Sequence, residues 1–160
     1  MTNLKVNNPE NLEFVKITHK DKVLSALVEI KKANNTHLLS KVSNIEKYAM
    51  KLSKNADVIA LQKIDEGSVV GLIAFYANDF TTKESFITHI ALHPEYQNMH
   101  LGKKLLELCL DISIVRGMQK VKLEVKNFNI HAIRFYYKNG FEKISGESAE
   151  SIYMEKKLRI

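Results

Sequence analysis

The chain has 160 residues, with 24 Lys and Arg against 18 Asp and Glu, and so carries a formal charge of +6. Its 45% hydrophobic and 26% charged residues match an ordinary soluble globular domain and exclude the disordered, collagen-like and disulfide-stapled classes. One cysteine, Cys109, rules out an internal disulfide, no Cys/His cluster has zinc-finger spacing, and a surplus of +6 selects no partner by itself.

Met1 to Pro9 lacks the apolar core of a signal peptide, and the longest uncharged apolar run, Val69 to Asn78, is about half the ~20 residues of a membrane helix. A cytoplasmic protein that does not engage membrane is expected. No linker or repeat divides the sequence, and Pro9 and Pro94 flank predicted elements, so a single domain over 1–160 with a core at 12–158 is expected.

Leu12 to Thr18 alternates as a strand, and His19 to Lys32 puts Val23, Leu24, Leu27, Val28 and Ile30 at helical spacing. A second helix follows, with Ser43 as the expected cap, Ile45, Tyr48, Ala49 and Leu52 on one face, and Asn55 at its end. Val58 to Ile64, a turn at Asp65 to Ser68, and Val69 to Tyr76 read as an antiparallel hairpin whose return strand is too apolar to face water. Ser85 to Leu92 is a further strand that Pro94 stops by removing a backbone donor.

Lys103 to Arg116 forms an amphipathic helix through Leu105, Leu106, Leu108, Cys109, Ile112 and Ile114, with Gly117 just past its end. Val121 to Val125 is a strand, His131 to Asn139 a short helix closed by Gly140, and Ser151 to Leu158 a final strand. The order βααβββαβαβ implies an α/β fold with a mixed, mostly antiparallel sheet flanked by helices. The strand–helix–strand segment at 85–125 requires a parallel crossover.

The informative segment is His93-Pro-Glu-Tyr-Gln-Asn-Met-His-Leu-Gly-Lys-Lys-Leu-Leu, between an apolar strand and a long helix. Unpaired N–H groups and the helix dipole make such a junction an anion site, and Lys103 and Lys104 occupy a first turn where acids are otherwise preferred. A plain connection with solvated lysines is the alternative.

Gln97-Asn98-Met99-His100-Leu101-Gly102 resembles the Gln/Arg-x-x-Gly-x-Gly/Ala pyrophosphate loop of the GNAT superfamily of acetyl-coenzyme-A-dependent N-acetyltransferases. Asn129-Ile-His-Ala-Ile-Arg-Phe-Tyr-Tyr-Lys-Asn-Gly-Phe141 resembles that family's Asn-x-x-Ala-x-x-x-Tyr-x-x-x-Gly-Phe segment. Either half alone is weak, and the two together cover a resemblance over roughly residues 12–158. One departure stands out: His100 replaces the first loop glycine, and Asn98 a second glycine often found there. Glycine serves such positions by allowing φ > 0, which Asn and His tolerate better than most residues.

The resemblance implies acetyl-CoA as co-substrate, no metal, and a parallel strand pair splayed at the cofactor slot. It places Ile90, Leu92, Gln97, Asn98, Met99, His100, Leu101, Gly102, Lys103, Asn129 and Tyr136 around the cofactor. The N–H of Leu92 or a neighbour would polarise the thioester carbonyl, a contribution of about 10²–10³ in rate per donor. Tyr136 would be the acid that protonates the thiolate, with Tyr137 its competitor and a tyrosine packed beneath the cofactor as the alternative.

An attacking amine must lose a proton, and His89 on the bordering strand is the candidate base beside a water relay, with Glu84 in reserve. His93 reads as a loop residue, and His19, His37 and His131 as surface residues near helix starts. Cys109 reads as a buried side chain rather than a nucleophile.

The function expected is transfer of an acetyl group to a primary amine of a small molecule. The first two helices, roughly 19–55, and a loop around Tyr76 to Phe80 would shape the acceptor side. Likeness of Tyr48 to Ala56 and Phe75 to Asp79 to small bacterial members suggests an amino sugar, nucleotide-linked, as acceptor. A non-catalytic acyl-CoA sensor and a peptide or protein N-acetyltransferase stay open as alternatives, as does a homodimer. Nucleic acid is not expected, because no concentrated Lys/Arg face or aromatic platform is present.

Overall fold

The structure, a computed structural model, describes residues 4–5, 11–34, 39, 41–146 and 148–159; Pro9 and His37 lie outside them. Strands β1 (Leu4–Lys5), β2 (Leu12–Ile17), β3 (Asp57–Lys63), β4 (Val69–Asp79), β5 (Glu84–Leu92), β6 (Lys120–Lys126), β7 (Glu142–Ile144) and β8 (Ser151–Lys157) form one sheet. Its order is β1-β2-β3-β4-β5-β6-β8-β7. The helices are α1 (Lys20–Asn34), α2 (Ile45–Asn55), α3 (Leu101–Val115) and α4 (Ile130–Lys138). This is the mixed, mostly antiparallel α/β architecture expected, with the short strands β1 and β7 added.

The chain forms two compact units, 1–75 with 89–106 and 76–88 with 107–160. In the first, β2 pairs antiparallel with β3 from Leu12↔Lys63 to Ile17↔Val58, and β3 with β4 from Asp57↔Phe75 to Gln62↔Val69. Helices α1 and α2 pack together and bury Val23, Ala26, Leu27, Ile30, Ala49 and Leu52. His19 starts α1, its carbonyl accepting the Val23 N–H at 3.0 Å and its Nδ1 the Asp21 N–H at 3.2 Å. Helix α2 is capped by Asn44, whose Oδ1 accepts from the Lys47 N–H at 3.1 Å, and not by Ser43. The helix starts at Ile45, so the flanking cap position falls on Asn44, whose side chain reaches the N–H of the third helical residue.

Gly71 of β4 meets a close neighbour: a Cβ there would lie 2.6 Å from Leu92 Cδ2 and 3.3 Å from the Ala91 carbonyl. A side chain at 71 would displace the tip of Leu92 and crowd the Ala91 carbonyl. The His93 N–H donates to the Val70 carbonyl at 2.7 Å, fixing that end.

In the second unit, β5 pairs parallel with β6 from Glu84↔Lys120 to Ile87↔Leu123, and β6 antiparallel with β8 from Lys120↔Lys157 to Lys126↔Ser151. Helix α3 begins at Leu101, two residues before the expected start, and ends where Gly117 takes φ +80 and Met118 N–H bonds the Ser113 carbonyl. Ser113 interrupts its buried face, and its hydroxyl is satisfied by Ser85 of β5 at 2.8 Å.

Residues 77–79, expected in a loop, continue β4, and the chain turns only after Asp79. The Asp79 carboxylate accepts the Thr81 and Thr82 N–H groups, both at 3.1 Å, so the acid closes the turn.

Candidate active site

In the first unit the end of β5 carries His89, Ile90 and Leu92. Backbone groups of successive strand residues point to opposite edges. His93 N–H points to β4, so those of Leu92 and Ile90 point to the other edge. Along that edge the recorded pairing with β6 ends at Ile87.

Side chains diverge as well. Leu92 lies beside Gly71, which also adjoins Leu105 of α3, whereas His89, three residues earlier, bonds through Nε2 to the hydroxyl of Tyr48 on α2. The two rings meet edge to face with centroids 5.6 Å apart and planes at 87°. Both residues are half-buried. Burial pushes the His89 imidazole down to about 4, because desolvation disfavours its charged form. His89 is thus neutral at physiological pH.

After β5, His93 caps a 3-10 turn over Pro94–Tyr96, its Nδ1 accepting the Glu95 N–H at 3.1 Å. This is a structural role, as expected of a loop residue. Tyr96 is buried against it, and the Gln97 side chain returns to donate Nε2–H to the Leu92 carbonyl at 3.3 Å. Gln97 so ties the loop to the strand end.

Asn98 and His100 both take left-handed conformations, with φ +64 and +60. These are the two positions where glycine was missing from the motif. The loop therefore keeps the shape that glycine would allow, at a cost of ~1–2 kcal/mol per ordinary residue that Asn reduces. Left-handed residues on either side of Met99 are the backbone geometry from which anion-binding nests are built. The Lys104 N–H bonds the His100 carbonyl at 3.2 Å, while the N–H groups of the residues before it in the first turn have no intrahelical acceptor. With exposed Lys103 and Lys104 beside them, these groups fit a pyrophosphate.

In the second unit Asn129 caps α4, its Oδ1 accepting the Ala132 N–H at 3.2 Å, which leaves its amide N–H₂ as the donor it offers a ligand. Tyr136 is 6% exposed, edge-on to Phe135 and Phe141 at 5.3 and 5.5 Å, whereas Tyr137 is 50% exposed. Burial pushes the Tyr136 phenol well above its ordinary value, and Cys109 adds in the same direction. It stays protonated and can donate. Glu84, the reserve base, is held by Lys120 at 3.0 Å and Lys122 at 3.1 Å, which lower its affinity for protons. His19 and His131 are exposed, and Cys109 is fully buried.

Sequence reasoning placed Tyr48 on the inward face of α2 but not its bond to His89. The only signal was a polar-tipped side chain at an inward helical position, and nothing in the sequence names its partner.

A mixed sheet whose parallel pairing stops short of a strand end, followed by a phosphate-type loop and a long helix, defines an α/β fold with an anion site at its strand–helix junction. The model of the Acetyltransferase (GNAT) family matches residues 24–141, and the chain belongs to that family.

The spermidine N(1)-acetyltransferase of Thermoplasma acidophilum is 29% identical over 103 residues, 64% of this chain and 62% of that protein. The [ribosomal protein bS18]-alanine N-acetyltransferase of Escherichia coli K12 is 35% identical over 72 residues, 45% of this chain and 49% of that protein. The matched part thus spans from about half to somewhat under two thirds of these relatives. The crystal structure of the PaiA N-acetyltransferase from Thermoplasma acidophilum in complex with coenzyme A superposes with a TM-score of 0.69, covering 90% of this chain and 98% of that one at 19% identity. The Escherichia coli ribosomal-protein-S18-alanine N-acetyltransferase gives 0.72, covering 93% and 95%, also at 19% identity.

Among the described residues no helix is long and apolar enough to cross a membrane, and no group of three or more His, Cys, Asp or Glu could hold a metal.

Proposed function

We propose that the protein transfers the acetyl group of acetyl-coenzyme A to a primary amine of a small molecule that also bears phosphate, such as a nucleotide-linked amino sugar. The observation that carries the donor half is the loop Gln97–Lys103, whose two left-handed residues and helix start suit a pyrophosphate. For the acceptor half, residues 20–55 hold eight lysines against Asp21, Glu29 and Glu46, nearly the whole surplus of the chain. That excess attracts an anionic acceptor and repels a polycation such as spermidine.

The amine nitrogen attacks the thioester carbonyl, forming the C–N bond. The carbonyl oxygen takes up charge facing the N–H of Leu92, since that of His93 is spent on Val70. The C–S bond then breaks, and the thiolate receives a hydrogen bond from Tyr136 and its proton from there or from water. Tyr136 is a weaker acid than a free phenol, so it serves best by donating a hydrogen bond to the leaving sulfur.

His89 is the base candidate. An imidazole at about 4 facing an alkylammonium near 10.4 is mismatched by roughly six units, about 8–9 kcal/mol. The amine therefore enters already neutral and gives up its proton after the C–N bond has formed.

Thiol release from acetyl-coenzyme A tests this with three amines: a nucleotide-linked amino sugar, spermidine and a peptide with N-terminal alanine. The sugar is expected to be fastest, with a KM that rises with salt. If spermidine or the peptide is preferred, the acceptor reading fails. If coenzyme A binds and no amine releases thiol, the protein is a binding module.

A further inference from the structure

The Nε2 of His89 is taken up by another side chain. Nε2 and the Tyr48 hydroxyl share a hydrogen bond, and in the tautomer whose Nε2 accepts it, Nδ1 carries the ring proton. Any proton that reaches Nε2 comes through the Tyr48 oxygen. That oxygen has two lone pairs and can accept an N–H while its own proton is donated to the ring.

Tyr48 also stands where the acceptor reading needs it, on a helix of the lysine-rich pair. His89 directly precedes Ile90, whose backbone faces away from β4. A plain structural staple has little reason to place a titratable ring here, since an apolar pair would hold α2 to β5 without desolvating two polar groups.

We propose that Tyr48 is the proton relay of the acceptor side, taking the proton of the attacking nitrogen as it passes its own to His89 Nε2. The inference rests on the acetyltransferase reading above. After the C–N bond forms, the N–H bond breaks and its electron pair stays on nitrogen. The Tyr48 O–H bond breaks toward Nε2 and a new O–H bond forms from the incoming proton. The imidazolium then releases a proton to water, which restores the starting state.

The test uses the full chain with the fastest of the three amines above, comparing Tyr48→Phe, His89→Gln and the double variant by kcat and KM, with urea unfolding to verify folding. Tyr48→Phe keeps the ring and removes only the hydroxyl. His89→Gln keeps a hydrogen-bond acceptor that cannot take up a proton. Each single variant is expected to lower kcat tenfold or more with KM for acetyl-coenzyme A within about twofold, and the double variant to fall no further than the worse single one, as for residues acting as a unit.

A Tyr48→Phe kcat equal to wild type overturns the relay, whether or not stability changes. Multiplying losses in the double variant also overturn it, because the two residues would then act separately. A wild-type chain that turns over no amine fails the acetyltransferase reading itself, a result the variants are not needed to see.

Discussion

Tyr48 in the first unit is half-buried with its hydroxyl bonded to His89, whereas Tyr136 in the second is 6% exposed and walled by Phe135 and Phe141. Desolvation acts on the titrating group in both places and in opposite directions, drawing the imidazole beside Tyr48 down to about 4 and pushing the Tyr136 phenol up. The common result is neutrality over the working range. Neither His89 nor Tyr136 changes charge between about pH 5 and 10, so the pH dependence of turnover is expected to follow the acceptor amine's own ionisation.

The sharpest difference is packing. Phe141 is 1% exposed, and Phe141→Ala is expected to cost about 3–5 kcal/mol in urea unfolding. Met50, two residues from Tyr48 and 38% exposed, should lose less than about 0.5 kcal/mol on truncation to alanine. Equal losses would erase the contrast.

Next in size is acid sensitivity. The unfolded imidazole takes up a proton near 6.5, while the folded one resists to about 4. The unfolded state binds more protons between those values, so stability falls as pH drops from 6.5 to 4, by at most on the order of 3 kcal/mol. Unfolding of His89→Gln at pH 7 and 4.5 should show a smaller drop than wild type, and parallel drops would mean that His89 is hydrated in the folded state.

Tyr136→Phe is expected to lower kcat about tenfold or more, with coenzyme A affinity within twofold, since only the donor is lost. An unchanged rate would shift the acid to Tyr137 or to water. The smallest effect belongs to the loop, outside both tyrosine regions. His100→Gly relieves the left-handed strain but loosens the unfolded chain, a net stabilisation of under about 1 kcal/mol. Calorimetry with acetyl-coenzyme A should show preserved or tighter binding, and lost binding would give the His100 ring a positive role.

Long periodic elements were legible in the sequence. The phase of Leu105, Leu106 and Cys109 oriented α3, and the alternation of Val121, Leu123 and Val125 oriented β6. Strand β7 spans only Glu142–Ile144, too short to show a period of two, and Asn78 and Asp79 read as turn residues although β4 runs through them. Within the candidate site, the missing glycines at 98 and 100 were legible because positive φ is a local demand of the motif. The Tyr48–His89 bond was not, because it joins side chains 41 residues apart that only the packing of α2 and β5 brings together.

The fate of Cys109 has a practical consequence. The chain's single thiol is fully buried in α3, so a thiol-reactive dye in the folded protein's solution sees little else than liberated coenzyme A. Turnover can then be followed continuously with almost no background. A cysteine installed at any exposed site becomes a single attachment point for a spectroscopic label, with no native competitor to remove.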